Sequence, residues 1–561
     1  MSVSGIKAGT GLAAVFRGNK QASESLPLRA LWAAALVFLF LFIIYPLLRV
    51  FRAAGFESWR TLFASSRWLD SLLHSLLLVV LSTFLSVLTG FVYAYGVIRG
   101  ALPFARFFAF IPVLHLVTPP FVGGLSFILL FGHQGFFTKI LLGLDVSLYG
   151  LPGLLIAQTL CFFPIAFLII KDVLEGINPA LEYAARSAGA RGFRVFRTLT
   201  LPLALPGIVS ALLFIAVSVL SDFGNPMLIG GRFNVLAVEL YTRLSGWAEA
   251  GTSAALGIIL LVPASLLFAL QRFFLNKKRG RLATAGAASS LPRRPPGLLC
   301  RALLFVFCSV IALIVAAQFL AVITGAFSKI WSVDNSFTVE HLMACFSYKR
   351  ELLNTLSFAF GAAFACAALS ALFAFLTLRT GLPFRRAADG MIMLPAALPG
   401  SLIGLAFVLA FNGNPFHLTG TGIIIVLAMT VCDLPAAYRI MSSSLMSIRN
   451  ALDESARALG ATRMKLFLTI ICPLAAPGIV SAFVYTFVRA TGTLSAVIFL
   501  MSFRTKLTSA LILNLASQGN WGRAAALALL LTAVIFSALA LLRLVWGKQP
   551  HIMEYNGKRS F

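Results

Sequence analysis

The chain is predicted to be an all-α polytopic membrane protein with twelve transmembrane helices arranged as two parallel six-helix repeats. Three observations carry that expectation. Of 561 residues, 60% are hydrophobic and 11% charged, where a soluble domain carries about 25% charged residues. The apolar residues fall in runs long enough to cross a bilayer. One basic stretch, ending in proline, occurs twice.

The runs come first. "LRALWAAALVFLFLFIIYPLLRVF" from Leu28 and "GRAAALALLLTAVIFSALALLRLVWG" from Gly522 each exceed the roughly 20 residues that span a bilayer as a helix. Helix is required because lipid cannot satisfy backbone N–H and C=O groups. The period-two alternation of an outer-membrane barrel is absent. In chain order, six segments lie near 28–51, 71–98, 104–132, 149–173, 206–228 and 252–275. Six more lie near 300–325, 353–379, 385–412, 419–446, 477–501 and 522–547. Between the two sets, "NKKRGRLATAGAASSLPRRPPG" (Asn276–Gly297) is polar, basic and rich in Ala, Gly, Ser and Pro, the composition of a linker. The expected organisation is a first repeat over 1–275, a basic cytoplasmic linker over 276–298 and a second repeat over 299–561.

Charge sets the expected sidedness. Lys and Arg mark cytoplasmic loops. They gather at Arg99 and Arg106, at Arg186 to Arg197, in the linker, at Arg379 to Arg386, and at Arg449 to Lys465. These loops alternate, which places them and both termini in the cytoplasm. Arg52, Arg60 and Arg67 fall on the other side and are outvoted. The formal charge of +27 is therefore assigned to loops facing anionic membrane lipid, not to nucleic acid. The N-terminal cluster of Lys7, Arg17 and Lys20 precedes an apolar run too long for a signal peptide, so that run is read as a retained anchor. The seven cysteines form no CxxC pair and are read as small packing residues.

The duplication is direct. "EYAARSAGARGFRVFRTLTLPLALPGIVSA" from Glu182 and "DESARALGATRMKLFLTIICPLAAPGIVSA" from Asp453 align without a gap at an offset of 271. Upstream the offset is 280, so that "RGALPF" (Arg99–Phe104) matches "RTGLPF" (Arg379–Phe384), and Pro119 matches Pro399. Six spans per copy make the repeat parallel, with a pseudo-two-fold axis along the membrane normal and a central pathway shared by the halves. Each stretch begins with acid (Glu182; Asp453 and Glu454), which suits a helix N-terminus. Glycine then stops or bends the helix. A basic-aromatic segment follows before Pro202 or Pro473. Exposed Phe and Met on such a loop call for a cover, and a knob docking into a soluble partner once per half accounts for the repetition.

These residues resemble the "EAA" loops of membrane subunits of bacterial binding-protein-dependent ABC importers. "ESARALG" (Glu454–Gly460) followed by "IICP" fits, with Ser455 and Cys472 as departures. "YAARSAG" (Tyr183–Gly189) followed by "LTLP" fits less closely, since Tyr183 holds the Glu position and Glu182 lies one residue early. The resemblance implies a type I, MetI-like permease in the bacterial cytoplasmic (inner) membrane. Its partners would be two copies of a cytoplasmic ABC ATPase subunit and a periplasmic or lipid-anchored solute-binding protein. The implied coupling residues are Glu182, Ala184, Ala185, Gly189, Phe193, Phe196 and Pro202, with Glu454, Ala456, Gly460, Met464, Phe467 and Pro473. The chain contains no GxxxxGK[ST], so it is expected to be no enzyme, with ATP and Mg on the partner and no cofactor or metal of its own. The fused architecture, with "SDFGNPMLIGGRFNVLAVELY" and "VRATGTLSAVIFLMSFRTKL" after the fifth spans, resembles the iron(III)-type permeases. Iron(III) is the expected solute, with 2-aminoethylphosphonate, thiamine, polyamine or another small ion as alternatives. A secondary transporter is the rival reading, and a non-transport scaffold or enzyme a third.

Ionisable residues inside a membrane are costly and point to function. Asp222, Asp433 and Arg489 fall within apolar segments. Two readings stand: a polar pathway or gate, or a structural ion pair such as Asp433 with Arg489. His74 has a single carboxylate nearby, Asp70, and His115 has none; with no cluster of carboxylates or cysteines around either, both are read as satisfied core residues. Pro119 and Pro399 interrupt the third spans, either lining a cavity or forming tolerated kinks.

Overall fold

Lipid leaves the backbone no partner but itself, and the computed structural model accordingly resolves this chain almost wholly into helices. It describes residues 26–118, 120–141, 143, 148–282, 296–413 and 416–546. Nine helices among them are long and apolar enough to cross a membrane. In the first half these are Leu26–Ala53, Arg67–Arg99, Leu151–Gly176, Gly192–Leu220 and Ala250–Phe274. In the second half they are Leu298–Phe327, Glu340–Leu378, Gly422–Ser447 and Trp521–Leu541. Two bent pairs bring the count to eleven: Arg385–Ala397 with Gly400–Phe411, bent by 112°, and Arg463–Leu474 with Ala476–Thr491, bent by 73°. The helix from Ala250 continues to Leu282, into the segment expected as linker. Residues 283–295 of that segment lie outside the described residues, as do Lys7, Arg17 and Lys20.

The third segments are not straight spans, and proline chemistry explains why. In each half two short helices meet at a proline: Ala105–Val117 with Pro120–Phe131, and Arg385–Ala397 with Gly400–Phe411. A residue before proline is pushed out of the helical region. Thr118 (φ −73°, ψ 143°) and its repeat mate Leu398 (φ −99°, ψ 128°) are both extended. Pro119 itself lies outside the described residues. Pro399 (φ −58°, ψ 140°) directly precedes the second helix of its pair.

Within each half the second, fourth and fifth spans pack together. At Gly90 a Cβ would lie 2.4 Å from the Ala166 Cβ, so glycine permits the close backbone approach that membrane helices use in place of a hydrophobic drive. The first span of each half packs on the opposite half. Phe38 and Phe42 meet Phe373 and Phe411 at ring-centroid distances of 6.3 and 5.8 Å. Trp32 Nε1 donates to the Pro383 carbonyl at 3.0 Å. Reciprocally, Phe305 meets Phe108 edge-on at 5.9 Å. The halves therefore share one core, which contains buried residues from both. The strands described form one antiparallel hairpin, Ser328–Ile330 with Asp334–Phe337, between the first two spans of the second half.

Candidate functional site

The two duplicated stretches fold alike. In the first, a helix spans Pro179–Ser187; the Asn178 side chain accepts from the Ala180 N–H, and Pro179 occupies the first turn, where its missing N–H costs nothing. In the second, the helix spans Asn450–Ala458. Both end in a Schellman motif. Ala190 and Gly189 N–H donate to the Ala185 and Arg186 carbonyls at 3.0 and 2.9 Å, while Ala461 and Gly460 donate to Ala456 and Arg457, each at 3.0 Å. The motif needs a left-handed residue, and Gly189 (φ +85°) and Gly460 (φ +82°) supply it. A Cβ at either glycine would meet nothing within 4 Å, so conformation and not space is what demands glycine there.

After each glycine a short helix (Gly192–Val195; Arg463–Leu466) runs into a π-helical turn (Phe196–Thr200; Phe467–Ile471) just ahead of Pro202 or Pro473. Proline has no N–H to give the α-helical ladder, and the widened turn lies where that bond would have closed.

An arginine holds each loop from inside. Arg99, at the end of the second span, pairs with Glu182 and donates to the Leu174 carbonyl at 3.4 Å. Its repeat mate Arg379 bonds Asp453 Oδ2 at 3.0 Å and Asn450 Oδ1 at 2.7 Å. Arg379 also donates to the Leu445 and Ile448 carbonyls, both at 2.6 Å. Asp453 is the repeat mate of Glu182, so the acid one residue early is the one held in both halves. The Arg99 and Glu182 side chains are 3% and 9% exposed, so the first pair is almost dry. An aromatic contact repeats beside it: Tyr95 against Phe196 at 5.3 Å, and Phe375 against Phe467 at 4.8 Å.

The residues grouped on sequence thus divide. Glu182, Ala456 and Phe467 are buried, and Ala185 and Phe196 are half-buried. Ala184, Glu454, Pro202 and Pro473 are exposed. Phe193 (76% exposed) and Met464 (38%) point outward with Leu181, Leu452 and Leu459. Sequence reasoning used Arg99 and Arg379 for sidedness and for aligning the repeat, and missed their hold on the loops together with Asn450, Tyr95 and Phe375. The signal was present, since Arg99 and Tyr95 match Arg379 and Phe375 at the same offset of 280.

The intramembrane residues form two groups. Asp222 Oδ2 accepts from Gln158 Nε2 at 3.0 Å and from Asn225 Nδ2 at 2.8 Å. Asp433 and Arg489 do approach, at 4.0 Å, with Asp433 buried and the Arg489 side chain 56% exposed. Phe223, next to Asp222, packs with Leu494 of the second half, so the halves meet close to these polar groups. At the other end of the Arg67–Arg99 helix, a cavity of 620 Å³ is lined by His74, His133, Tyr149, Arg232 and Phe233. His74 bonds the Asn234 carbonyl through Nδ1 at 3.0 Å and stacks on Phe233. Among the described residues no group of three or more His, Cys, Asp or Glu is placed to hold a metal ion.

Comparison with known proteins places this geometry. Residues 61–280 and 367–546 match the family described as "Binding-protein-dependent transport system inner membrane component". The ferric transport system permease protein FbpB of Actinobacillus pleuropneumoniae is 30% identical over 90% of this chain and 76% of its own length. The Fe(3+)-transport system permease protein FbpB 2 of Haemophilus influenzae is 25% identical over 88% of this chain and 93% of its own. The molybdenum transport system permease protein ModB of Escherichia coli is 28% identical over 38% of this chain and 95% of its own, the proportion expected if one repeat here equals a whole permease there. Two matched regions, one in each half, show that the chain belongs to the binding-protein-dependent family of inner-membrane ABC transport permeases, as a fused two-repeat member.

Proposed function

We propose that this permease forms the translocation pathway for iron(III) delivered by a solute-binding protein, with ATP hydrolysed by a separate pair of ATPase subunits. The carrying observation is the pair of outward apolar loop faces, Phe193 with Leu181 and Met464 with Leu452 and Leu459, each on a loop of the same backbone. Two such faces suit two copies of one partner. Each loop follows the fourth span of its half, on the side where the basic loops gather, which supports cytoplasmic docking and cytoplasmic termini. The solute reading rests on the ferric permeases that resemble the chain over most of its length. The paired breaks at the third spans and the intramembrane Asp222, Asp433 and Arg489 support a pathway between the halves.

The test is reconstitution with the ATPase and binding protein, followed by uptake assays. ATP-dependent iron(III) uptake is expected, undiminished by excess 2-aminoethylphosphonate, thiamine or polyamine. Competition by one of these would reassign the solute, and uptake driven by an ion gradient without the ATPase would favour a secondary transporter. Reporters after Lys278 and near Asn335 are expected on opposite faces, the first cytoplasmic.

A further inference from the structure

We propose that Arg99 and Arg379 are positioning residues for energy coupling: each clamps its loop to two transmembrane helices, so that a push on the loop moves the spans instead of bending the loop alone. This rests on the reading that the loops dock the ATPase. The geometry is the same in both halves. Each arginine sits at the C-terminal end of the second span and bonds carbonyls near the end of the fourth span. Those carbonyls lie at a helix end, where the i+4 N–H of a continuing helix is missing; Leu445 also accepts from the Ile448 N–H at 3.1 Å. Each arginine also holds the first-turn acid of the loop helix, Glu182 or Asp453. Three helix ends thus meet on one guanidinium. Its planar fork of donors can serve the fourth-span carbonyls and the loop acid at once, from the end of the second span that carries it, which the point charge of a lysine cannot.

A charge so enclosed needs its partners, and neither clamp is available to a docking subunit. Glu182 is 7% exposed, and the Arg379 side chain 6%. The outward residues Phe193 and Met464 lie beyond the Schellman glycine, outside the clamp. Docking and force transmission are therefore carried by different residues of one loop, and they can be separated.

The experiment compares Arg379→Gln with Met464→Glu in the full transporter, measuring ATPase co-purified, ATP hydrolysed and solute taken up. Arg379→Gln is expected to keep wild-type ATPase recovery and hydrolysis while uptake per ATP falls at least tenfold. Arg379→Lys should restore little. Met464→Glu should lose ATPase recovery itself. Should Arg379→Gln fail to insert, Asp453→Asn carries the same test, since it leaves the arginine and its carbonyl bonds in place. Full uptake per ATP in the clamp variants, with recovery lost in Met464→Glu, overturns the clamp and leaves the docking reading intact. Full recovery and uptake in both overturns the docking reading.

Discussion

The first and second duplicated stretches share a backbone and differ in dress. Both carry a clamped first-turn acid, a left-handed glycine, a buried-side aromatic and a π turn before proline. Their outer faces diverge: Phe193 among Arg191, Arg194 and Arg197 in the first, Met464 and Leu459 with Lys465 in the second. The helices beyond them also diverge. Gly192–Leu220 runs through Pro202 and Pro206 as one span, while Arg463–Leu474 and Ala476–Thr491 bend by 73° beside Pro473 and Pro477. The same prolines stand in both, so proline permits the kink but does not compel it. What the repeat preserves is the part facing the chain's own helices. The outward part, where the proposed partner would dock, varies.

The comparison breaks most sharply at the outward residues. Phe193→Glu and Met464→Glu each place a charge where a docked partner would exclude water, and either should reduce recovered ATPase more than tenfold with normal membrane insertion. Loss in only one would mean that the two faces are not equivalent. Next are the glycines. The departure at Tyr183 suggests on sequence that Gly189→Glu is milder than Gly460→Glu. The matched φ values predict equal effects instead, since each imposes left-handed strain of roughly 1–2 kcal/mol on an L-residue. Uptake assays of the two variants side by side decide it.

Asp433 and Arg489 come third. A fully buried pair would lose about 3–5 kcal/mol on removal of one partner. At 4.0 Å the two groups stand at the outer limit of an ion pair, and the Arg489 side chain is 56% exposed rather than enclosed. A double-mutant cycle with Asp433→Asn and Arg489→Gln is expected to give a coupling below about 1 kcal/mol. A larger value would mean the guanidinium is drier than its exposure indicates. The smallest effect expected is that of the aromatic contacts. Phe467→Leu should cost about 1 kcal/mol in thermal stability, and Phe196→Leu less, because Phe196 is only half-buried.

Much of the fold was legible because lipid simplifies the code. Apolar run length marked the spans, and the offsets of 271 and 280 marked the repeat. The broken third segments were legible as well, because proline disfavours the helical region for its predecessor, although Leu201 before Pro202 stays helical (φ −65°, ψ −46°). What escaped was set by contacts distant in sequence. Phe467 read as an exposed loop residue because nothing local announces Phe375, 92 positions earlier. Glu182 read as a misplaced motif acid; the offset of 271 matches it to Asp453, and only the pairing with Arg99 shows what the matched acids do. The exchange of first spans between halves had no local signature at all, since Phe38 and Phe305 look like any lipid-facing phenylalanine until their partners are known.

The central claim is that the two loops jointly convert ATP hydrolysis into movement through the pathway. Its most direct test is iron(III) uptake per ATP hydrolysed in proteoliposomes holding this permease, its ATPase and its binding protein, with one loop altered at a time by Phe193→Glu or Met464→Glu. The account predicts that either change alone abolishes ATP-driven uptake. Undiminished uptake per ATP in either single variant would contradict it.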